Sequence, residues 1–429
     1  MAVVRVALGI LIAIEAIGYL TSDWIAVAFL DPQFHFTFQG FDWVQPWPGI
    51  GLYLHFGALA VLGLLVAAGV AHRITAALLA AGFAYIFLLD KTEYLNHFYA
   101  AILLLALIAV MPADRAFSVA ARRRPRRPQT VPLWAVWLLR FQVAVIYAYS
   151  GIAKLNADWL AGEPMQMWLA DRAEMVIIGP LLGASWAGIV FSWGGLAFDL
   201  AIVPLLLWRR TRALAFGLAV GFHLANSIIF EIGIFPPMMI AATTVFFDPD
   251  WPRRALRWAT GVSSAASAPA AHAPGRVSRR LLIPALAVYV AAQLLVPLRH
   301  YIYPGLVGWT EEGHRFSWQM KLRDKQGSVI FTAVDRSTGE AGPLDTSDLI
   351  TARQHAHASV RPDMILQLAH RLAEREREAG RDVEVHAKAL VSLNGRPARD
   401  LVDPGCDLSE VTRSLAPADC IGPEPPPLE

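Results

Sequence analysis

Charge is what this chain has least of. Only 17% of its 429 residues are Asp, Glu, Lys or Arg, where a soluble chain carries about a quarter. That scarcity excludes an ordinary water-soluble globule, and a hydrophobic share of 55% points to lipid as the solvent. Cysteine is nearly absent: Cys406 and Cys420 are the whole complement, and no Cys/His spacing suggests a zinc or other metal site. No repeat of 20–50 residues is present. The first apolar run is not expected to be a removable leader. Arg5 precedes the first apolar run, but no small-residue cleavage site follows, and Thr21-Ser-Asp-Trp24 leads straight into more apolar sequence. The net charge of +2 says little about a partner, because here the placement of charge matters more than its sum.

What is present is a series of long apolar runs, ending near Val296. Candidate spans lie near 3–21, 50–70, 74–89, 97–112, 132–150, 176–207, 212–227, 232–247 and 281–297, with Pro204, Pro236, Pro237 and Pro284 interrupting some. The expected fold is a polytopic α-helical membrane protein of about nine spans, residues 1–297. Residues 298–429 form a C-terminal extracytoplasmic α+β domain.

Orientation follows from Lys and Arg. With the N-terminus cytoplasmic, the even-numbered connections hold Arg73, the run from Arg115 to Arg127, Arg209, Arg210 and Arg212, and the group from Arg253 to Arg280. That is about 16 basic residues, against about three (Lys91, Lys154, Arg172) on the other side. The expected location is the cell inner membrane, multi-pass, with the tail outside the cytoplasm. Arg122–Arg127 then reads as a positive-inside anchor loop near anionic lipid headgroups, not as a nucleic-acid site. The Ala-, Ser- and Pro-rich stretch from Thr260 to Pro274 reads as a flexible linker. Trp24, Trp43 and Trp47 read as interfacial belt residues.

The tail changes grammar. Phe316–Arg323 alternates apolar and polar residues like a half-buried strand, pairing with Ser328–Val334 across Asp324–Gly327. Arg361–Glu378 places Met364, Leu368 and Leu372 on one helix face. Val383–Leu393 alternates again and ends in the hairpin signal Asn394-Gly395. Cys406 and Cys420 both lie in this tail, where an oxidising compartment permits a disulfide between them. His355-Ala-His357 reads as a solvated pair on a helix or turn.

Ionisable and polar residues are costly in a membrane, so each asks for a reason. Four clusters stand out: Asp90-Lys-Thr-Glu-Tyr-Leu-Asn-His97; Ser150-Gly-Ile-Ala-Lys-Leu-Asn-Ala-Asp-Trp159; Phe222-His-Leu-Ala-Asn-Ser227; and Trp309 to Trp318. The topology puts all four at one edge of the membrane, which argues for a single active site. Lys154 could be a snorkelling anchor, yet it lies on the side poor in basic residues and beside Asn156, Asp158 and Trp159. His97 and His223 could each be core histidines satisfied by Asn or Ser. Arg140 and Asp199, both within spans, most simply pair with each other.

At these residues the sequence resembles the vitamin K-dependent γ-carboxylases and their bacterial relatives, the horizontally transferred transmembrane family. The resemblance runs from about Leu8 to Leu408. It is most specific at Tyr94-Leu-Asn-His97, Ser150–Trp159, Phe222–Ser227 with Ile232-Gly-Ile-Phe235, and Phe316-Ser-Trp-Gln-Met320; Arg361–Met364 and Val402-Asp-Pro404 also look like family segments. It implies a coupled reaction in which reduced vitamin K or menaquinol is oxidised by O2 to its epoxide, generating a base that removes a γ-proton from a peptidyl glutamate, which then takes up CO2. No metal is implied. Lys154 matches the family's catalytic base; Asn96 and His97 match its supporting residues, with His223 and Asn226 nearby. Trp309, His314, Ser317 and Trp318 match the segment associated with glutamate and propeptide handling, which makes a glutamate-containing peptide or secreted protein the implied partner.

Three departures qualify this. Ala153-Lys154 stands where the family often has two lysines. His314 and Phe316 replace aromatic hydroxyls of the vertebrate enzymes, and the sequence ends without the long extension of the animal proteins, which favours a bacterial form using menaquinol. The alternative is a quinol-binding membrane oxidoreductase or sensor without carboxylase activity.

Overall fold

A computed structural model describes residues 1–124, 130–230, 232–260 and 279–427. Arg126, Arg127, Arg276 and nearly all of the expected linker lie outside the described residues. Among the described residues, ten α-helices of nine residues or more build the first part: α1 (Ala2–Leu20), α2 (Gly51–Ala68), α3 (His72–Leu89), α4 (Asn96–Val110), α5 (Leu133–Ala153), α6 (Ala187–Leu207), α7 (Arg212–Phe230), α8 (Phe235–Thr243), α9 (Trp251–Thr260) and α10 (Arg279–Leu295). Among the described residues seven are long and apolar enough to cross a membrane: α1, α2, α3, α5, α6, α7 and the stretch Arg280–Ile302 that contains α10. The chain is thus a multi-pass membrane protein.

The other two expected spans are short. The helix α4 has 15 residues because the chain before it is spent on a polar turn, where Asp90 accepts from the Thr92 N–H at 2.8 Å. The helix α8 starts at Phe235-Pro236-Pro237, where the missing proline N–H groups suit a first turn, and continues to Phe246 as a tighter turn. The expected span at 176–207 merges two things. Only Ala187–Leu207 is one long helix; the apolar residues before it make turns and the short helix Gly179–Leu182.

The tail is an antiparallel four-stranded sheet of order β2-β1-β3-β4, with β1 Lys325–Asp335, β2 Ala341–Leu344, β3 Val383–Leu393 and β4 Arg399–Asp400. Two helices accompany it, α11 (Ala352–Ser359) and α12 (Pro362–Glu378). A capping box formed by Thr351 and Gln354 starts α11. Met364, Leu368 and Leu372 of α12 are fully buried with Val385, Ala389 and Val391 of β3, so the periods of four and two meet in one core. Asn394 and Gly395 both have positive φ (51° and 77°) and turn the chain from β3 toward β4, as the sequence indicates. Cys406 and Cys420 form a disulfide. His355 and His357 lie on α11, partly covered.

One expectation fails here. Phe316–Arg323 is not a strand, and the partner of β1 is β3, Phe331 lying opposite Ala387. Positive φ at Phe316, Trp318 and Lys321 (65°, 58° and 49°) breaks the extended pattern. The alternation arises because this segment packs in an irregular loop between bundle and sheet.

The tail is clamped to one end of the bundle. Phe36, from the loop between α1 and α2, is buried in the core of the tail. Lys91 meets Asp363 at 2.6 Å, Glu93 pairs with Arg353, Asp158 meets Arg396 at 2.6 Å, and the Trp168 indole donates to Asp324 at 2.9 Å.

Candidate functional site

The helices α5 and α6 approach closely at Gly151, where a side-chain carbon would stand 2.6 Å from Leu200. The α5 face toward α6 carries Tyr147, Ser150 and Lys154 at spacings of three and four. The opposing face of α6 carries Ser192, Gly195 and Asp199. Lys154 Nζ meets Asp199 Oδ2 at 2.7 Å and donates to the Ser150 carbonyl at 3.2 Å, both side chains being buried. Asp199 is therefore the partner of Lys154, not of Arg140. Arg140 instead donates to the Val245 and Phe246 carbonyls at 3.1 and 3.3 Å, ending the turn after α8. A lysine and carboxylate in contact are neutral as a unit, which lowers the cost of keeping both in an apolar bundle.

The Trp159 ring covers the amine at 5.2 Å, and its indole donates to the Ser192 carbonyl at 2.8 Å. Asn156, not Asp158, caps the short helix Ala157–Leu160 by accepting from the Trp159 N–H. Asp158 points away from Lys154 to Asn394 and Arg396 at 2.6 Å each. Burial by itself would raise the Asp158 carboxyl, but those bonds hold it below its ordinary value.

His223 of α7 is buried, and its Nε2 meets the Tyr147 hydroxyl at 2.7 Å. Its Nδ1 has no hydrogen-bond partner among the described residues, nor do the buried hydroxyls of Ser150 and Ser192. Phe235 links His223 to His97, with ring centroids 5.9 and 6.2 Å away. No hydrogen bond among the described residues engages the His97 imidazole or the half-buried Asn226. Asn96 is held instead: its amide donates to the Gln319 carbonyl at 3.3 Å, and its oxygen accepts from the Tyr94 hydroxyl at 3.0 Å. The same Tyr94 oxygen accepts the Phe316 N–H at 2.6 Å, which joins the first polar cluster to the fourth.

In the fourth cluster, Trp309 is fully buried in the core of the tail and donates to the Gly422 carbonyl at 3.0 Å. Trp318 stacks on Tyr99 with centroids 4.9 Å apart. Ser317 donates to the Gly313 carbonyl at 2.5 Å, and His314 folds onto Glu311 at 3.2 Å. Glu311 is also paired with Arg323 and Lys325. Burial would raise the Glu311 carboxyl, but Arg323 above all, with Lys325, holds it well below the carboxylate range. Burial pushes His314 well below its ordinary value despite Glu311.

Beside this loop opens a cavity of about 810 Å³, between the bundle and the tail. Phe316, Gly313, Lys91 and Asp363 line it; Trp309, His314, Ser317 and Trp318 are buried and do not belong to the lining. Burial lowers Lys91 to about 8, with Asp363 opposing the shift.

Sequence reasoning missed Tyr147 and the true partner of Lys154. The signal for Tyr147 was its place seven residues before Lys154, on the same helix face. For Asp199, two ionisable groups in spans beside a buried lysine were signal enough that a pairing exists, though not which one.

Residues 1–251 match the HTTM domain family, and residues 278–425 match the lumenal domain of the vitamin K-dependent gamma-carboxylases. No solved structure matches the chain.

Proposed function

Because this chain belongs to the vitamin K-dependent gamma-carboxylase family, we propose that it is a quinol-dependent peptidyl-glutamate carboxylase with coupled epoxidase activity. The observation that carries this reading is the surroundings of Lys154. A buried lysine, a carboxylate able to share its proton, and polar atoms with no protein partner lie together in an apolar bundle.

The residues present fit a reduced naphthoquinone. Its rings suit the aromatic surroundings of Phe235 and Phe222, and its two oxygens suit the unpartnered Nδ1 of His223, the imidazole of His97 and the hydroxyls of Ser150 and Ser192. When bound, it would supply, through oxidation by O2 to its epoxide, the driving force for removing the γ-proton of glutamate before CO2 adds. Lys154 is the proton acceptor in this reading. To accept a proton, Nζ must first have given one up, and Asp199 is the group in contact that can hold it without leaving a net charge in the bundle. The Tyr147–His223 bond fixes the orientation of the imidazole and leaves Nδ1 for a ligand. Asn96, held between Tyr94 and Gln319, positions the start of α4 and with it His97. Asn226, one turn beyond His223, is free to add a further hydrogen bond.

The peptide enters the cavity between bundle and tail. Trp309, His314, Ser317 and Trp318 then serve the substrate by holding the shape of the loop that presents Phe316. The basic connections support an inner-membrane location with the N-terminus cytoplasmic and the tail and cavity extracytoplasmic. The absence of a hydroxyl at His314 and Phe316 favours a second reading, quinol oxidation without carboxylation.

The test is epoxide formation by purified protein given a reduced naphthoquinone and O2. Lys154→Ala and Lys154→Arg should both lose it, arginine because its guanidinium stays protonated. An active Lys154→Arg would make the lysine an electrostatic anchor and would move the search for a base to His223.

A further inference from the structure

The cavity between bundle and tail holds several charges, and almost all are answered by protein. Lys91 and Arg315 share Asp363 at 2.6 and 2.8 Å. Arg413 meets Asp42 at 2.6 Å, and Glu410 meets Arg336 at 3.1 Å. Glu311 is paired three times over, as described, and Glu312 accepts the Ala418 N–H at 2.9 Å. Asp419 is exposed to water.

Arg299 is different. It lies in the turn Val296–Ile302 that follows α10 and lines the cavity. Its guanidinium reaches no carboxylate among the described residues. Nε donates to the Gly313 carbonyl at 3.4 Å and Nη2 to the Arg315 carbonyl at 2.6 Å, and the plane lies over the Phe316 ring at 5.6 Å. Those contacts fix the side chain but leave Nη1 with no partner, and the charge with no carboxylate, among the described residues. Beside Phe316 the lining carries the cations Arg299, Arg315 and Lys91 and the carboxylates Glu311, Glu312 and Asp363, and of the three cations Arg299 alone has no carboxylate in contact among the described residues. A partly buried cation with no carboxylate in contact is costly unless an anion joins it. A planar guanidinium already held in place is suited to a carboxylate, which it can bind through two parallel hydrogen bonds.

We infer that Arg299 recognises the side-chain carboxylate of an acidic peptide seated in this cavity, and so sets the preference for glutamate over its neutral amide. The inference rests on the carboxylase reading for the identity of the peptide. From Arg299 the route to the membrane site is short in covalent and hydrogen-bonded terms: Phe316 lies under the guanidinium and donates its N–H to Tyr94, which bonds Asn96, the neighbour of His97.

The experiment measures binding of a fluorescent glutamate peptide and its glutamine counterpart to the full-length protein in detergent, without quinol. Wild type should prefer the glutamate peptide. Arg299→Gln should bind that peptide roughly tenfold to a hundredfold more weakly, the loss typical of a charge-assisted hydrogen bond, with the glutamine peptide little changed. A merely structural role for Arg299 would weaken both peptides alike. Arg413→Gln, which lines the same cavity but has its own carboxylate, should keep the preference. Should Arg299→Gln fail to fold, Arg299→Lys and competition by glutarate against glutaramide on wild type give the same comparison. Undiminished glutamate preference in the Arg299 variants overturns the inference, as does equal competition by the two small molecules. Its failure is separable from that of the carboxylase reading. Carboxylation by wild type with unchanged preference in Arg299→Gln removes only the role of Arg299. Preference lost in Arg299→Gln, with no carboxylation by wild type, removes only the carboxylase.

Discussion

Removing Asp199 tests the core of the site, because its consequences for stability and for chemistry differ. In Asp199→Ala the Lys154 amine keeps the Ser150 carbonyl at 3.2 Å and the face of Trp159 at 5.2 Å, but loses the one carboxylate it meets among the described residues. Both side chains are buried, so water cannot replace the lost partner. Breaking such a pair costs about 3–5 kcal/mol, most of it the penalty of a buried charge left alone. Asp199→Asn keeps the volume and one acceptor and should cost less, ~2 kcal/mol. The double variant Lys154→Met/Asp199→Leu removes both charges and should regain most of the loss, since replacing a buried pair by apolar residues of similar size is often neutral or better. Thermal and denaturant unfolding in detergent, followed by tryptophan fluorescence, measures the three. Epoxide assays on the same samples should find the double variant stable and inactive. A double variant no more stable than Asp199→Ala would refute the charge-pair reasoning, as would an Asp199→Ala within ~0.5 kcal/mol of wild type.

His97→Ala should lower epoxide formation about tenfold or more with no glutamate peptide present, the effect of losing a hydrogen-bonding group at a reacting centre; normal epoxidation with impaired carboxylation would move His97 to the glutamate side. His314 gives a pH signature. Its folded-state pKa lies well below its ordinary value, so its contribution to stability is complete above about pH 6.5 and is lost as pH falls from there toward the folded value. Between pH 6.5 and 5 the stability of wild type should fall more steeply than that of His314→Gln, by up to ~1.4 kcal/mol per pH unit, and parallel curves would contradict this. Thr338→Cys, at an exposed turn of the tail, should react with an impermeant thiol reagent on intact spheroplasts. Labelling only after lysis would reverse the topology.

Much of the membrane part was legible because hydropathy is a one-dimensional signal. The expected span 132–150 is the helix Leu133–Ala153, and 212–227 is Arg212–Phe230. Hydropathy fails where apolar residues are not helical, as before Ala187. It also cannot tell a strand from an apolar loop, as at Phe316–Arg323, where Tyr94 from another part of the chain captures the Phe316 N–H. The polar clusters were legible as a set, because the expected topology puts each at a chain crossing of the same parity. Their pairing was not. Arg140 and Lys154 are two heptads apart on α5, about 21 Å along the axis, and nothing in the sequence sets the offset of α6 that brings Asp199 to one and not the other. Arg299 went unnoticed for a similar reason: a basic residue just past a span looks like an anchor until its neighbours are known.

The most direct test of the proposed function is incorporation of labelled CO2 into a glutamate-containing peptide by the purified protein. Label is expected in a new carboxyl group on the γ-carbon only when reduced naphthoquinone and O2 are both present, with epoxide forming alongside it, and Lys154→Ala should yield neither. Epoxide without labelled peptide, across acidic peptides of varied sequence, would contradict the carboxylase and leave a quinol oxidase in its place.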